Sequence, residues 1–148
     1  MNKEEIKGEM QTVFNKVAKH LLTQKAKSVV KNLDGELICR YRGDNGRMCA
    51  AGCLLTDKQA SRNESSRWHT ITYNDHEVFN MFSCDTHQMI DGLQRLHDYS
   101  EVFEWKMNLI KLAKKHSLSS SVVDEDMTWS KEVQATRCLS YLPQMQDG

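Results

Sequence analysis

The chain has 148 residues, 39% apolar and 27% charged, with 20 basic and 20 acidic side chains. That length holds one domain with a sizeable core, and the apolar content excludes wholesale disorder. Zero net charge excludes a polyanion that imitates nucleic acid and a generally basic nucleic-acid binder.

Charge is nevertheless uneven. Residues 1–66 carry 12 basic against 8 acidic residues, and residues 67–148 carry 8 against 12. Five cysteines is an odd number with no framework spacing. The opening Met1-Asn2-Lys3-Glu4-Glu5 is charged and no apolar run follows it, so no secretory leader is expected. No stretch approaches the roughly 20 apolar residues that span a bilayer. Reduced thiols and a cytoplasmic location, that of the host cell if the protein is viral, are the expectation, with no membrane partner.

Residues 3–24 repeat apolar side chains at three and four: Ile6, Met10, Val13, Phe14, Val17, Ala18, Leu21 and Leu22. One amphipathic helix is predicted, with its lysines on the solvent side. Leu33-Asp34-Gly35 is a turn signal. Glu36–Arg42 alternates as a strand, and Gly43-Asp44-Asn45-Gly46 reads as the turn of a hairpin with a short return limb. Met48–Leu55 is small and apolar, a helical turn or a buried strand, packed close to another backbone.

Thr56–Arg67 is polar and aperiodic and reads as an exposed loop. Trp68–Tyr73 is β-prone and reads as a short strand. Asp75 caps a short helix through Phe82, and Asp85 caps the next, with Met89, Ile90, Leu93 and Leu96 inward. Ser100 caps a helix to about residue 116, through an imperfect capping box. Its Met, Trp and Phe side chains exceed what one face buries, which leaves room for a homo-oligomer. Ser117 onward reads as a linker and then a helix over Trp129–Leu142 or a loosely held tail. The expected architecture is a mainly helical α+β fold: a β-hairpin or three-stranded antiparallel sheet packed by four or five helices. Residues 1–118 form the globular domain and 119–148 the linker and C-terminal helix or tail.

Cys39–Leu55 concentrates three of the five cysteines and Arg40, Arg42 and Arg47. Three chemistries are considered. Cys49-x-x-x-Cys53 with Cys84-x-x-His87 has tolerable zinc spacing, with Cys39 as an alternative sulfur, although neither pair is a Cys-x-x-Cys knuckle; buried thiols are the plainer reading. Cys49 follows a glycine turn beside Arg47, where a thiol is activated, and a base would come from His20, His69, His87 or His97. Arg40, Arg42 and Arg47 beside Tyr41 suit contact with a partner, either a protein or, with Lys25, Lys27 and Lys31, nucleic acid. No P-loop, Gly-x-Gly-x-x-Gly, His-Glu-x-x-His or Gly-x-Ser-x-Gly is present, so the sequence leans away from an enzyme without deciding it.

The pattern Cys39-x-Tyr41-Arg42-x-x-x-Gly46-x-x-Cys49-Ala50-x-Gly52-Cys53-Leu54 follows a helix bearing Val17-Ala18-Lys19-His20-Leu21-Leu22 and Gln24. It resembles a group of small uncharacterised proteins of tailed phages and bacterial genomes. The likeness spans roughly residues 14–116 and includes Leu93-Gln94-x-Leu96-His97-Asp98. Members commonly carry a proline-containing loop where this chain has Leu55-Thr56-Asp57, and residues after Leu118 fall outside the likeness. The resemblance implies a viral origin and an α+β fold, and no activity. The expected function is a phage-type accessory protein that binds and modulates a host protein or complex, such as a host-defence inhibitor. The alternatives are a nucleic-acid-binding regulator that uses the basic hairpin, and a small cysteine-dependent enzyme.

Overall fold

The computed structural model describes residues 1–64 and 66–126. Its organising element is α1, Lys3–Gln24, with the apolar repeat along its length. Asn2 starts it by accepting a hydrogen bond from the Glu5 N–H at 2.9 Å, and Lys25 stops it in the left-handed region at φ 53°. Its inner face, from Met10 to Leu22, is buried. Against it pack α5 (Cys84–Tyr99) and α6 (Trp105–Lys115). They contribute Met89, Ile90 and Leu93 from one, and Trp105, Leu109 and Ala113 from the other, all fully buried. Each large aliphatic buried this way contributes roughly 2 kcal/mol, and the helices are held by that packing rather than by propensity.

The fold is mainly helical α+β, with seven α-helices and one two-stranded antiparallel sheet among the described residues. The sheet differs from the expected hairpin. Its strands are β1, Val29–Lys31, and β2, Leu37–Cys39, with Val30 opposite Ile38, so the connecting turn is Leu33-Asp34-Gly35. The expected turn at Gly43–Gly46 does form: Asn45 and Gly46 have φ of 62° and 71°. It closes only one bridge, Arg42 to Met48. The next residues, Cys49, Ala50 and Ala51, are drawn into the core, which ends the ladder after a single pair.

Two further expectations are corrected. The stretch read as an exposed loop contains α2, Asp57–Arg62, opened by a full capping box between Thr56 and Gln59, with Gln59 and Ala60 buried. Trp68–Tyr73 is helical, within α3, Trp68–Asn74. Trp68 and Ile71, three apart, are both buried, and this one-sided packing overrides the β preference of their side chains. Asp75 caps α4, His76–Phe79, as expected, and ends its helix before Phe82. The cap of α5 is Ser83, which accepts from the Thr86 N–H, in place of Asp85. The capping box before α6 is Glu101 with Glu104, one residue past the imperfect box read at Ser100.

Residues 119–126 fold back on α1. Gln11 donates to the Ser119 carbonyl at 3.0 Å and accepts from the Ser119 N–H at 2.8 Å. Val123, in α7 (Ser121–Asp124), is fully buried. The helix or tail expected over Trp129–Leu142 lies outside the described residues, as does Cys138. Among the described residues no helix is long and apolar enough to cross a membrane.

Candidate functional site

The Cys39–Leu55 segment is a knot tied largely by side-chain bonds to main chain. Gln24, at the end of α1, accepts from the Met48 N–H and donates to the Met48 carbonyl, each at 2.9 Å. His20 bonds the same carbonyl at 2.8 Å. Gln94 of α5 accepts from the Ala51 N–H at 2.8 Å. Buried Ser28 donates its hydroxyl to the Arg40 carbonyl at 2.6 Å. A Cβ on Gly52 would run into the main chain of Tyr41, and one on Gly43 would meet Val29 N at 2.6 Å. Both glycines are therefore required by close approach of backbones; of the motif's own glycines, Gly52 is explained this way and Gly46 by its positive φ of 71°.

Arg42 sits at the centre of this knot. Its guanidinium donates to the carbonyls of Gly52 at 2.6 Å, Leu55 at 2.8 Å and Tyr41 at 3.2 Å, and its Nε meets Asp57 at 2.9 Å. Tyr41 is 5% exposed, and its hydroxyl donates to the Ser66 carbonyl at 2.6 Å. The structure thus places Arg42 and Tyr41, read from sequence as partner contacts, in the fold's own bonding. Arg40 and Arg47 keep their guanidinium groups outside it, apart from one long Arg40 contact to the Glu64 carbonyl at 3.4 Å.

The three thiols of this segment, Cys39, Cys49 and Cys53, are held away from reactivity. Cys49 is fully buried, and burial pushes its thiol far above the ordinary range although the Gly52 N–H points at its sulfur. None of His20, His69, His87 and His97 bonds it among the described residues. Burial also pushes Cys53 up to about 11. Cys39 is pushed up to about 11 by burial and by the neighbouring Asp98 carboxylate. A thiolate nucleophile needs the opposite shift.

The zinc set considered from spacing, Cys49, Cys53, Cys84 and His87, does not converge among the described residues. Cys53 donates to the Ala50 carbonyl, Cys84 is exposed at the start of α5, and His87 bonds the Phe79 carbonyl at 2.8 Å from inside the Trp68, Phe79 and Phe82 rings. Among the described residues, the metal-capable donors that cluster within 4.8 Å are those of Cys39, His97 and Asp98. The hydrogen bonds explain that cluster without an ion. His97 Nε2 accepts from the Ser28 N–H at 3.0 Å, so its proton lies on Nδ1, which faces Asp98 at 2.8 Å. Presenting a lone pair at Nδ1 would move the proton to Nε2 and set two N–H groups against each other.

Two surfaces remain around the knot. The first is a cleft of about 680 Å³ between β2, the start of α3 and the end of α5. Arg40, Arg67 and Arg95 line it together with Glu64, Asp91 and Asp98. The three acids are committed: Glu64 accepts from the Tyr41 N–H at 2.7 Å, Asp91 pairs with Arg95 at 3.0 Å, and Asp98 accepts from Gln94 at 2.8 Å. Arg67 has no side-chain partner among the described residues. The second is an open hollow where the Asn45-Gly46-Arg47 turn meets α1. Lys16, Lys19 and Arg47 border it, no acidic residue does, and none of the three cations has a side-chain partner among the described residues. Lys16 and Lys19 belong to the helix face that sequence periodicity assigns to solvent; what the sequence does not reveal is that the turn brings Arg47 beside them.

Neither the family models, nor the curated proteins, nor the solved structures compared with this chain give a match.

Proposed function

We propose that this chain is a non-enzymatic binding protein that engages an acidic surface of a host protein or complex through Lys16, Lys19 and Arg47. The carrying observation is the hollow bordered by three cations, with no acid among its lining residues. The Gly46–Arg47 turn is pinned to α1 through Met48, so Arg47 is presented on a rigid base rather than a loose loop. Preorganised arginines lose little freedom on binding, and a single-sign patch steers an acidic partner. The buried, poorly ionising Cys49, which none of the four candidate histidines bonds among the described residues, supports a role without covalent chemistry. The resemblance to phage proteins supports a host-side partner, with host-defence inhibition as one such role.

The same cations suit phosphates, which favours nucleic acid as the second reading. Against it stands Tyr41, the aromatic expected to stack on a base, which lies in the core. Binding that survives nuclease and is lost in the Lys16→Glu/Lys19→Glu/Arg47→Glu variant supports the protein partner. Binding abolished by nuclease, with affinity falling steeply as salt rises, transfers the patch to nucleic acid.

A further inference from the structure

The two edges of the small sheet are treated differently. Arg40 N–H donates to the Ser28 carbonyl at 2.9 Å and Asn32 N–H to the Glu36 carbonyl at 2.8 Å. Pairs 28/40, 30/38 and 32/36 are therefore the hydrogen-bonded ones, and the N–H and C=O of Leu37 and Cys39 point away from β1. The next outward group on that edge, the Tyr41 N–H, is closed by the Glu64 carboxylate. Those of Leu37 and Cys39 have no partner among the described residues. The outer edge of β1 is shielded at its start, where Gly43 lies against Ser28 and Val29. The β2 edge is open along Leu37–Cys39, and an open edge is a template for a further strand.

Charge identifies the strand that fits. The turn that leads into β2 carries Asp34 and Glu36, whose carboxylates have no partner among the described residues. Arg40, on the same strand, and Arg67, across the cleft, are basic. An antiparallel pairing centred on Ile38 sets Leu37 opposite Cys39 of a second copy, so all the open main-chain groups are satisfied in mutually bonded pairs. It also sets Glu36 opposite Arg40 of the second copy, twice, and carries each acidic turn toward the cleft that Arg40 and Arg67 line in the other. Shifting the register by two residues in one direction faces Cys39 with Gly35, whose φ of 84° takes it out of the strand, and exchanges the Glu36–Arg40 match for Asp34, in the turn, opposite Arg40. Shifting it in the other runs Leu37 into Tyr41, whose N–H is already used. Leu37, 69% exposed, gains cover in the pairing.

We infer that β2 pairs antiparallel with β2 of a second copy of this chain, across a two-fold axis at Ile38, to form a four-stranded sheet. The interface is isologous and closes at two copies. This goes beyond the Lys16–Lys19–Arg47 reading and uses a different face.

Sedimentation velocity of the full chain over a concentration series tests it. The wild type is expected to dimerise. Glu36→Arg, which sets like charges opposite at both symmetric positions, weakens association about tenfold or more. Glu36→Arg/Arg40→Glu restores it. Leu37→Pro removes an outward N–H without removing a bond to β1, and abolishes the dimer while the circular dichroism spectrum stays that of the wild type. A monomer at every concentration, or a dimer unmoved by all three variants, overturns the proposal. Weakening by Glu36→Arg that the charge swap fails to restore overturns the register.

Discussion

Replacing Arg42 by alanine is the most informative perturbation of the knot. The guanidinium satisfies three carbonyls, of Tyr41, Gly52 and Leu55, at 3.2, 2.6 and 2.8 Å. A hydrogen bond to a charged group contributes about 1.5–3 kcal/mol net, and water that reaches the vacated carbonyls recovers part of it. Counting about 1–1.5 kcal/mol for each of the three bonds gives a loss of roughly 3–4.5 kcal/mol for Arg42→Ala. The ion pair with Asp57 adds little, because Asp57 is 97% exposed, so Asp57→Ala changes stability by about 0.5 kcal/mol or less. Arg42→Lys keeps one donor but not the fork, and loses about 2 kcal/mol. Urea unfolding under reducing conditions, followed by fluorescence of the buried Trp68 and Trp105, reads all three. An Arg42→Ala protein within about 0.5 kcal/mol of wild type would refute the reasoning and return Arg42 to the surface as a partner contact.

Gly52→Ala, whose Cβ would meet the main chain of Tyr41, costs about 2–3 kcal/mol. Gly8→Ala, in open space inside α1, gains about 0.5–1 kcal/mol; the same unfolding assay separates the two signs. Alkylation at neutral pH with peptide mapping finds exposed Cys84 modified well before Cys39 and Cys53, and Cys49 last of these four, after global opening. Early modification of Cys49 contradicts its burial. Arg62 and Asn63 hold the Asp75 carboxyl well below the usual carboxylate range. For Glu9, burial acts upward but the bonds from Thr86 and Ser83 outweigh it, so its value is also lowered. A folded value below the unfolded one gives stability that is present above about pH 4 and lost as pH falls toward the folded value. Asp75→Asn therefore shows a smaller drop in urea midpoint between pH 5.5 and pH 3.5 than wild type; an equal drop assigns the acid sensitivity elsewhere.

How far the sequence carries the fold depends on where the deciding partner lies. The face of α1 and those of α5 and α6 are legible because one periodic stripe decides each. The turn chemistry of Asn45-Gly46 is legible for the same local reason, since both residues tolerate positive φ. The strand pairing is not, because Val29–Lys31 and Met48 compete for the same neighbourhood and the core's claim on Cys49–Ala51 settles it. Helix α2 had a local signal, Thr56-x-x-Gln59, hidden in a polar stretch without apolar period. Trp68–Asn74 had none stronger than its β-prone composition, and packing against α5 decides it. In the candidate site, Arg40 and Arg47 stay accessible while Arg42 and Tyr41 are absorbed into the knot. Only three-dimensional closure of the segment on Gly52 distinguishes them. Gln24, Ser28, Gln94 and His97 hold that closure from distant positions; Gln24, Gln94 and His97 stand within the resemblance, but no local periodicity marks any of the four as a partner of Cys39–Leu55.

The central claim is tested most directly by quantitative affinity capture from nuclease-treated host lysate. The wild-type chain is compared with Lys16→Glu/Lys19→Glu/Arg47→Glu, each checked for an unchanged unfolding midpoint. The account predicts a stoichiometric protein partner retained by the wild type and lost from the charge-reversed variant. Equal capture by both, or no protein retained by the wild type, contradicts it.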